Sequence, residues 1–424
     1  MKKAYHYLGI TVFTMIVVGC QRSSYHNKSY TKSAAQEAEN NQVKTTWEEG
    51  KRKMESPETF WDAKTSFESA LSQSPLDPLA TLYIEITKIW PILMGLPLRL
   101  SHLIGEEIVQ EGLEKKLKEY EANPPLQALV RSLLYGGNPT FFKSVHEVQI
   151  FVESEVLPAL QKAQAALAQV ETQKFLIELR TDQWHRKETR ESKLFLDPTD
   201  VHGLRMYLYG LETISHLFLA YDLDFLLPFR TQFEKPESRS YQTILSEIKK
   251  YPSALTLRKN GKEHFQALLK DVQATLEGQR TLAKALYEGG KREDFVLTNP
   301  FYNFQGFSDW MHGLNHIEDV IAGPYLLKLS DAQAVMLNVP HLLHTPPKDL
   351  KQLFPTQFSN DGQKVKATSF PDPTFAGLIP DGDFIEKYCS VPNDVREIRL
   401  SIQCGEGEEK ELNNDTLKNL QEKQ

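Results

Sequence analysis

The 424-residue sequence predicts a mainly α-helical protein: a helical bundle or a set of repeat-like helical hairpins, with an extended, partly β segment at its carboxyl end. Apolar side chains recur at three- and four-residue spacing through the middle of the chain, for example from Leu157 to Phe175, as in amphipathic helices. Prolines, which long helices exclude, become frequent only from Pro340 onwards. A hydrophobic content of 40% is enough for a sizeable core.

Residues 1–19 have the charge order and the length of a secretory signal. Lys2 and Lys3 form a short positive stretch, and a mostly apolar run follows from Ala4 to Val18. That run is shorter than the roughly 20 apolar residues that a helix needs to cross a bilayer. The segment therefore predicts export of the chain and not a membrane-spanning anchor.

The apolar run ends in Val17-Val18-Gly19-Cys20, which resembles the lipobox of bacterial lipoproteins. The resemblance implies that the signal is removed and that Cys20 receives a thioether-linked diacylglycerol, usually with a further acyl chain such as palmitate on its amine. Several acyl chains hold a protein on a membrane nearly permanently. In this family an aspartate after the cysteine tends to retain the protein in the inner membrane, so Gln21 implies the outer membrane of an envelope with a periplasm.

Composition divides the rest of the chain into four parts. Residues 20–45 hold the lipidated cysteine and a polar, disordered tether, which would span on the order of 25–30 Å. Residues 46–340 form the helical domain, and residues 341–404 form a proline-rich, partly β segment packed on it. Residues 405–424 form a disordered acidic tail.

The first part of the helical domain, residues 46–78, is predicted to be a helical hairpin. Its small, aromatic and closing residues have a spacing that resembles one tetratricopeptide repeat: Trp47, Met54, Ala63, Phe67, Ala70 and Pro75. Gly50 lies one position before the family's usual glycine, and the following 34 residues do not repeat the pattern. The resemblance thus implies one hairpin and not an array, and an ordinary amphipathic hairpin is the alternative.

Capping signals predict where later helices begin and end. Asp197 is placed to cap a helix whose apolar residues, Val201 to Ala220, lie on most of its sides and predict a central position. Residues 260–263 have capping-box spacing before another helix, which Gly289-Gly290 would end. Residues 330–333 are predicted to start a further short helix.

Two cysteines remain once Cys20 carries lipid, and both lie near the carboxyl end. In an oxidising compartment such an even pair predicts a disulfide between Cys389 and Cys404, with two free thiols as the alternative. Residues 365–370 and 398–404 have the composition of short strands, so the pair would close the end of the partly β segment.

Aromatic residues are dense between positions 301 and 310. Phe301, Tyr302, Phe304, Phe307 and Trp310 are candidates for an apolar groove that takes a lipid, a glycan or a peptide. The alternative is a loop packed into the core.

A metal site is a weaker candidate. His312 and His316 would share one face of a helix, which is the spacing that a metal needs. However, Gly313 stands where a zinc hydrolase of the familiar type has a glutamate, and the sequence offers no third ligand. Two surface or packing histidines are the alternative, so the sequence predicts no metal, no cofactor and no catalytic residue.

The charge and the missing motifs narrow the function. A formal net charge of −7 without a cluster of Lys and Arg argues against nucleic-acid binding. The sequence has no nucleophile elbow, phosphate loop or dinucleotide fingerprint. We therefore expect a non-enzymatic, lipid-anchored helical scaffold that holds envelope proteins at the membrane. A lipoprotein that binds an apolar or glycan ligand near residues 301–310 is the alternative, and a metal-dependent envelope hydrolase is a third.

Overall fold

The structure is a computed structural model that describes residues 41–137, 140–181, 184, 193–226, 246–289, 292, 294–301, 303–330, 333–354, 356, 370–379, 389–390 and 403–404. The predictions for the signal, Cys20, most of the tether, the strand at 365–370 apart from Phe370, and the acidic tail lie outside the described residues. Helix α1 begins at Asn41, within the stretch predicted to be a disordered tether.

The described residues confirm a mainly α fold. The helices are α1 (Asn41–Met54), α2 (Ala63–Gln73), α3 (Pro78–Leu93), α4 (Leu96–Arg99), α5 (Ser101–Ile104), α6 (Glu106–Lys118), α7 (Pro124–Tyr135), α8 (Val145–Phe151), α9 (Leu157–Glu171), α10 (Pro198–Ala220), α11 (Gly261–Glu288), α12 (Phe304–Ala322) and α13 (Val339–His344). The strands form three antiparallel pairs: β1 (Ile177–Arg180) with β2 (Lys193–Leu196), β3 (Tyr325–Ser330) with β4 (Gln333–Leu337), and β5 (Cys389–Ser390) with β6 (Gln403–Cys404).

The chain divides into two compact units, and each unit is built from two separate segments. Unit 1 comprises Met1–Ser215 and Asp271–Met311, and unit 2 comprises His216–Lys270 and His312–Gln424. The divisions fall inside helices α10, α11 and α12, so each of these helices contributes residues to both units.

In unit 1, helices α1 and α2 pack against each other as a hairpin. Ala63 and Phe67 are fully buried and Ala70 nearly so, as the spacing of small and aromatic residues suggested. A methyl group at Gly50 would lie 2.9 Å from the Phe67 ring, so only glycine allows α1 to approach that ring so closely. Helix α2 ends at Gln73, two residues before Pro75.

The core of unit 1 continues from this hairpin into α3 and α9. Phe60 stacks on Trp90 with the ring centroids 5.2 Å apart and also contacts Tyr83, whose hydroxyl donates to the Phe60 carbonyl. A second apolar cluster joins α3 to α9 and α10 through Ile89, Leu160, Ala163, Leu167, Val170, Val201 and Leu208. Burial of these side chains is the main favourable contribution to folding of the unit.

One stretch of unit 1, Pro78–Ile104, is long and apolar enough to cross a membrane by length and composition alone. Half of its most apolar window is buried inside the protein. A core helix passes the same test, and α3 contributes Tyr83 and Trp90 to the core just described.

A buried ion cluster joins the two segments of unit 1. Asp197 Oδ1 accepts from the backbone N–H groups of Thr199 and Asp200, which makes it the cap of α10, as predicted. Arg292, from the second segment, donates to both oxygens of Asp197 at 2.6 and 3.0 Å and to Asp200 at 3.0 Å. Asp200 also accepts from the backbone N–H of Leu297, so the second segment supplies this carboxylate with a main-chain donor as well as a guanidinium.

Helix α10 is less central than its composition predicts. Val201 and Leu219 are fully buried, but Ile214 and Leu217 are 50% and 55% exposed. Both side chains lie on a face of the helix that no other described element covers completely. A helix that is apolar on most sides is therefore not always surrounded by other elements, because the fold decides how many neighbours it has.

Unit 2 contains a small core around Tyr221 and Phe265, which meet edge to face at 5.8 Å. The Tyr221 hydroxyl donates to the carbonyl of Pro347, which ties α10 to the chain beyond α13. The prediction that a short helix starts at residues 330–333 is wrong, because Ser330 and Gln333 pair with each other in the antiparallel strands β3 and β4. The same polar residue types are favoured at helix caps and in turns. Here the pairing of the two flanking strands outweighs the preference for a helix cap.

The carboxyl-terminal strand pair of unit 2 brings the two cysteines into register. Cys389 and Cys404 are direct Cα partners in the antiparallel pair β5–β6. Directly opposed residues of such a pair have Cα atoms roughly 4.5–5.5 Å apart, within the range that a disulfide spans. The backbone is thus compatible with the predicted disulfide.

Candidate functional site

The candidate site is a set of aromatic side chains on the surface of unit 1 at the start of α12. Asn303 caps this helix, since its Oδ1 accepts from the N–H of Gly306 at 2.8 Å. Phe301, just before the helix, meets Phe307 and Trp310 edge to face, with centroid distances of 5.6 and 6.2 Å. The helical spacing of Phe307 and Trp310 places both rings beside Phe301.

Tyr287, in the last turn of α11, completes the set. Its ring stacks on Phe307 at 4.5 Å with an interplanar angle of 13°, and it meets the edge of Phe304 at 6.4 Å. We call Tyr287, Phe301, Phe304, Phe307 and Trp310 the aromatic patch. Tyr287 was not among the predicted groove residues, because it lies 14 positions before Phe301 and meets the other rings only through the path of the chain between α11 and α12. Tyr302, the remaining residue of the predicted groove, lies outside the described residues.

The aromatic patch is exposed to solvent. Phe304 is 66% exposed and Trp310 is 47% exposed, whereas Phe301 and Phe307 are half-buried. Of the 19 residues of α12, all of them described, Leu314 alone is buried. Large apolar side chains grouped on a surface, with their rings fixed by mutual contacts, are typical of a binding site.

The helix that carries Phe304, Phe307 and Trp310 is acidic, and Lys284 on α11, one turn before Tyr287, lies 4.0 Å from the carboxylate of Glu288. Helix α12 contains Asp309, Glu318 and Asp319 but neither Lys nor Arg. The carboxylate of Asp309 accepts from the Gln305 amide at 2.6 Å. Phosphate or carboxylate groups would therefore find no cation on this helix, and the arrangement favours apolar contact.

The two candidate metal ligands, His312 and His316, are both exposed on α12. His316 Nδ1 lies 3.5 Å from the Tyr325 hydroxyl. Within the described part of the chain, no group of three His, Cys, Asp or Glu side chains is arranged to hold a metal ion.

Unit 1 also buries a carboxylic acid that no sequence motif marked. Glu212, on α10, is only 4% exposed, and burial raises its pKa from an ordinary 4.5 to about 7. The negative charge of Asp271, on α11, raises that pKa further, and Gln164, on α9, lowers it. A carboxylic acid with such a pKa is what a general acid needs. Because Glu212 lies inside the core, we assign it a packing role.

Unit 2 buries a pair of histidines. His216 and His264 are 5% and 8% exposed, and their Nδ1 atoms lie 2.9 Å apart. One of these nitrogens must donate and the other accept, so the two rings carry opposite protonation at Nδ1. Burial, with a further contribution from His264, lowers the pKa of His216 to about 4. The two residues are 48 positions apart, so sequence spacing gives no sign of the pair.

Comparisons with protein-family models, with curated proteins and with solved structures find no match for this chain.

Proposed function

We propose that this chain is a lipid-anchored protein of the cell envelope whose helical body is a non-enzymatic scaffold for partner proteins. The observation that carries the proposal is the order of features at the amino terminus. A positive stretch, a short apolar run, Cys20 and a polar linker precede helices that begin at Asn41. This order supports an anchor in the membrane, and we propose the outer membrane as the surface at which the body holds its partners.

The anchor is tested by growing cells with labelled palmitate. The native chain should take up label, and Cys20→Ala should take up none and leave the membrane fraction. Cys389→Ala is the matched control, because it removes a cysteine that the proposal leaves unmodified, and it should label like the native chain. Label that persists in Cys20→Ala would contradict the proposal.

The scaffold role is tested by crosslinking in cells followed by capture of the native chain and of Cys20→Ala. A stoichiometric envelope protein bound only to the anchored form is the expected result. If neither form holds a protein partner, the scaffold role is wrong.

A second function is favoured by the aromatic patch. The stacked Tyr287 and Phe307 rings, with the exposed rings of Phe304 and Trp310 beside them, have the chemistry that binds an apolar or glycan ligand. Organic extraction of the purified protein, followed by mass spectrometry, tests this function. A ligand that disappears in Phe307→Ala would establish it, and an extract without any ligand would argue against it.

A further inference from the structure

We propose that the aromatic patch docks on the zwitterionic phospholipid surface of the membrane that holds the anchor. This inference rests on the proposed function, because the lipid on Cys20 is what brings the body to that membrane. It goes further by assigning an occupant to one surface of unit 1 and an orientation to the body on the bilayer.

The chemistry of the patch fits a bilayer interface. Trp, Tyr and Phe are the residues that amphipathic helices place at the boundary between headgroups and acyl chains. Phe304 and Trp310 expose 66% and 47% of their surface, and contact with the acyl region would remove this apolar area from water. The Tyr287–Phe307 stack fixes the base of the patch, so little side-chain freedom is lost on docking.

The tether makes the bilayer the nearest large apolar surface. Only 20 residues separate Cys20 from Asn41, where the described helices begin. Even fully extended, a segment of 20 residues reaches no more than about 70 Å, so the lipid on Cys20 confines the body to the neighbourhood of the membrane. Docking of the patch on this membrane is thus an intramolecular event for the anchored chain, and a weak interaction is enough for it.

The charges select the kind of lipid. Basic amphipathic helices bind anionic headgroups, but α12 has Asp309 beside the patch and neither Lys nor Arg, and Lys284 on α11 is paired with Glu288. The whole chain carries a net charge of −7. Anionic lipids should therefore repel this surface or leave docking unchanged, and zwitterionic lipids should accept it.

The test uses the full acylated chain reconstituted on phosphatidylcholine vesicles whose acyl chains carry bromine, which quenches tryptophan fluorescence on contact. Flotation of the vesicles reports the anchor, and quenching reports the patch. Part of the fluorescence should be quenched, and this part should be absent in Trp310→Phe, which leaves the other four tryptophans unchanged. Phe304→Ser should lower the docking equilibrium constant about tenfold without changing flotation.

Ile108→Ser is the matched control, because Ile108 is 52% exposed on α6 in the same unit but outside the patch. The fluorescence of this variant should be quenched by the brominated lipid to the same extent as that of the native chain. Replacing a third of the phosphatidylcholine with phosphatidylglycerol should not increase quenching, and an increase that salt abolishes would overturn the choice of lipid.

The two proposals fail differently. A chain that floats with the vesicles while Trp310 stays unquenched overturns the docking inference and leaves the anchor intact. A chain that does not float overturns the anchor, and the inference falls with it. A photo-crosslinker at position 304 that captures a protein in cells, together with an unquenched Trp310, would assign the patch to a protein partner instead and so overturn the inference.

Discussion

Units 1 and 2 each bury an ionisable side chain, and burial shifts the two pKa values in opposite directions. In unit 1 it raises the pKa of Glu212 to about 7, and in unit 2 it lowers the pKa of His216 to about 4. A second group of the same kind adds to each shift: Asp271 beside the acid and His264 beside the base. Each core therefore favours the neutral form of its group, and both groups are neutral between about pH 4 and pH 7.

Glu212 and His216 should consequently contribute to the stability of their units with opposite dependence on pH. Folded unit 1 binds a proton at Glu212 more tightly than the unfolded chain does, so the contribution of Glu212 to the stability of unit 1 falls as the pH rises from 4.5 to about 7. The unfolded chain binds a proton at His216 more tightly than folded unit 2 does, so the stability of unit 2 falls as the pH drops from 6.5 to about 4.

The largest expected loss of stability comes from removing the cation of the ion cluster in unit 1. Arg292→Met would leave the buried Asp200 and the half-buried Asp197 without their guanidinium partner, at a cost of about 3–5 kcal/mol. Urea unfolding monitored by tryptophan fluorescence measures this loss. Lys284→Met is the matched control, because Lys284 is 69% exposed in its pair with Glu288 and should matter little. Equal stability of the two variants would contradict the role of the ion cluster.

Reduction of the carboxyl-terminal cysteines should affect the stability of one unit only, because both cysteines belong to unit 2. If Cys389 and Cys404 are bonded, as their pairing allows, reduction should destabilise unit 2 by roughly 3 kcal/mol and leave unit 1 unchanged. Hydrogen exchange, read on peptides from α9 and from residues 246–260, reports the two units separately. Alkylation of both thiols without prior reduction would show that the bond is absent.

Glu212→Gln removes the ionisable acid from unit 1 and keeps its shape. At pH 8 the variant should be more stable than the native protein by on the order of 2–3 kcal/mol, because the native carboxyl must ionise in the core. Near pH 4 the difference should vanish. Glu277→Gln on the exposed side of α11 is the control, and its pH profile should match that of the native protein.

His216→Gln tests the opposite slope in unit 2. The variant loses the hydrogen bond to His264, which costs about 1 kcal/mol at pH 7. It should also lose the part of the acid sensitivity of unit 2 between pH 6.5 and pH 4 that comes from His216. His344→Gln, at an exposed position in the same unit, should keep the native slope. An unchanged slope in His216→Gln would contradict the pKa assignment.

Local signals in the sequence located much of the fold. Asp197 caps α10 because an Asx cap depends only on neighbouring backbone groups, and α11 ends at Glu288 because Gly289 follows. The residues around Ser330 failed as a helix start because strand pairing of the flanking segments outweighed their capping preference. Such pairing depends on partners that a local pattern does not contain.

The candidate site was only partly predictable for the same reason. The density of aromatic residues identified Phe301, Phe304, Phe307 and Trp310, since they lie within ten positions of one another. Tyr287 joins them through the path of the chain between α11 and α12, and His216 meets His264 across 48 residues. Whether these aromatic side chains are exposed depends on which other elements pack against them in the folded chain. The amino-acid composition of residues 301–310 does not show this.

The order of the segments has a consequence for dissecting this protein genetically. The chain passes from one unit to the other three times, at residues 215–216, 270–271 and 311–312, each time inside a helix. No single truncation can therefore yield either unit alone as one continuous polypeptide, and a stop codon in α12 would remove part of unit 2 while leaving residues 216–270 without their other segment. Separating the units would require rejoining Ser215 to Asp271 in one gene and Lys270 to His312 in another.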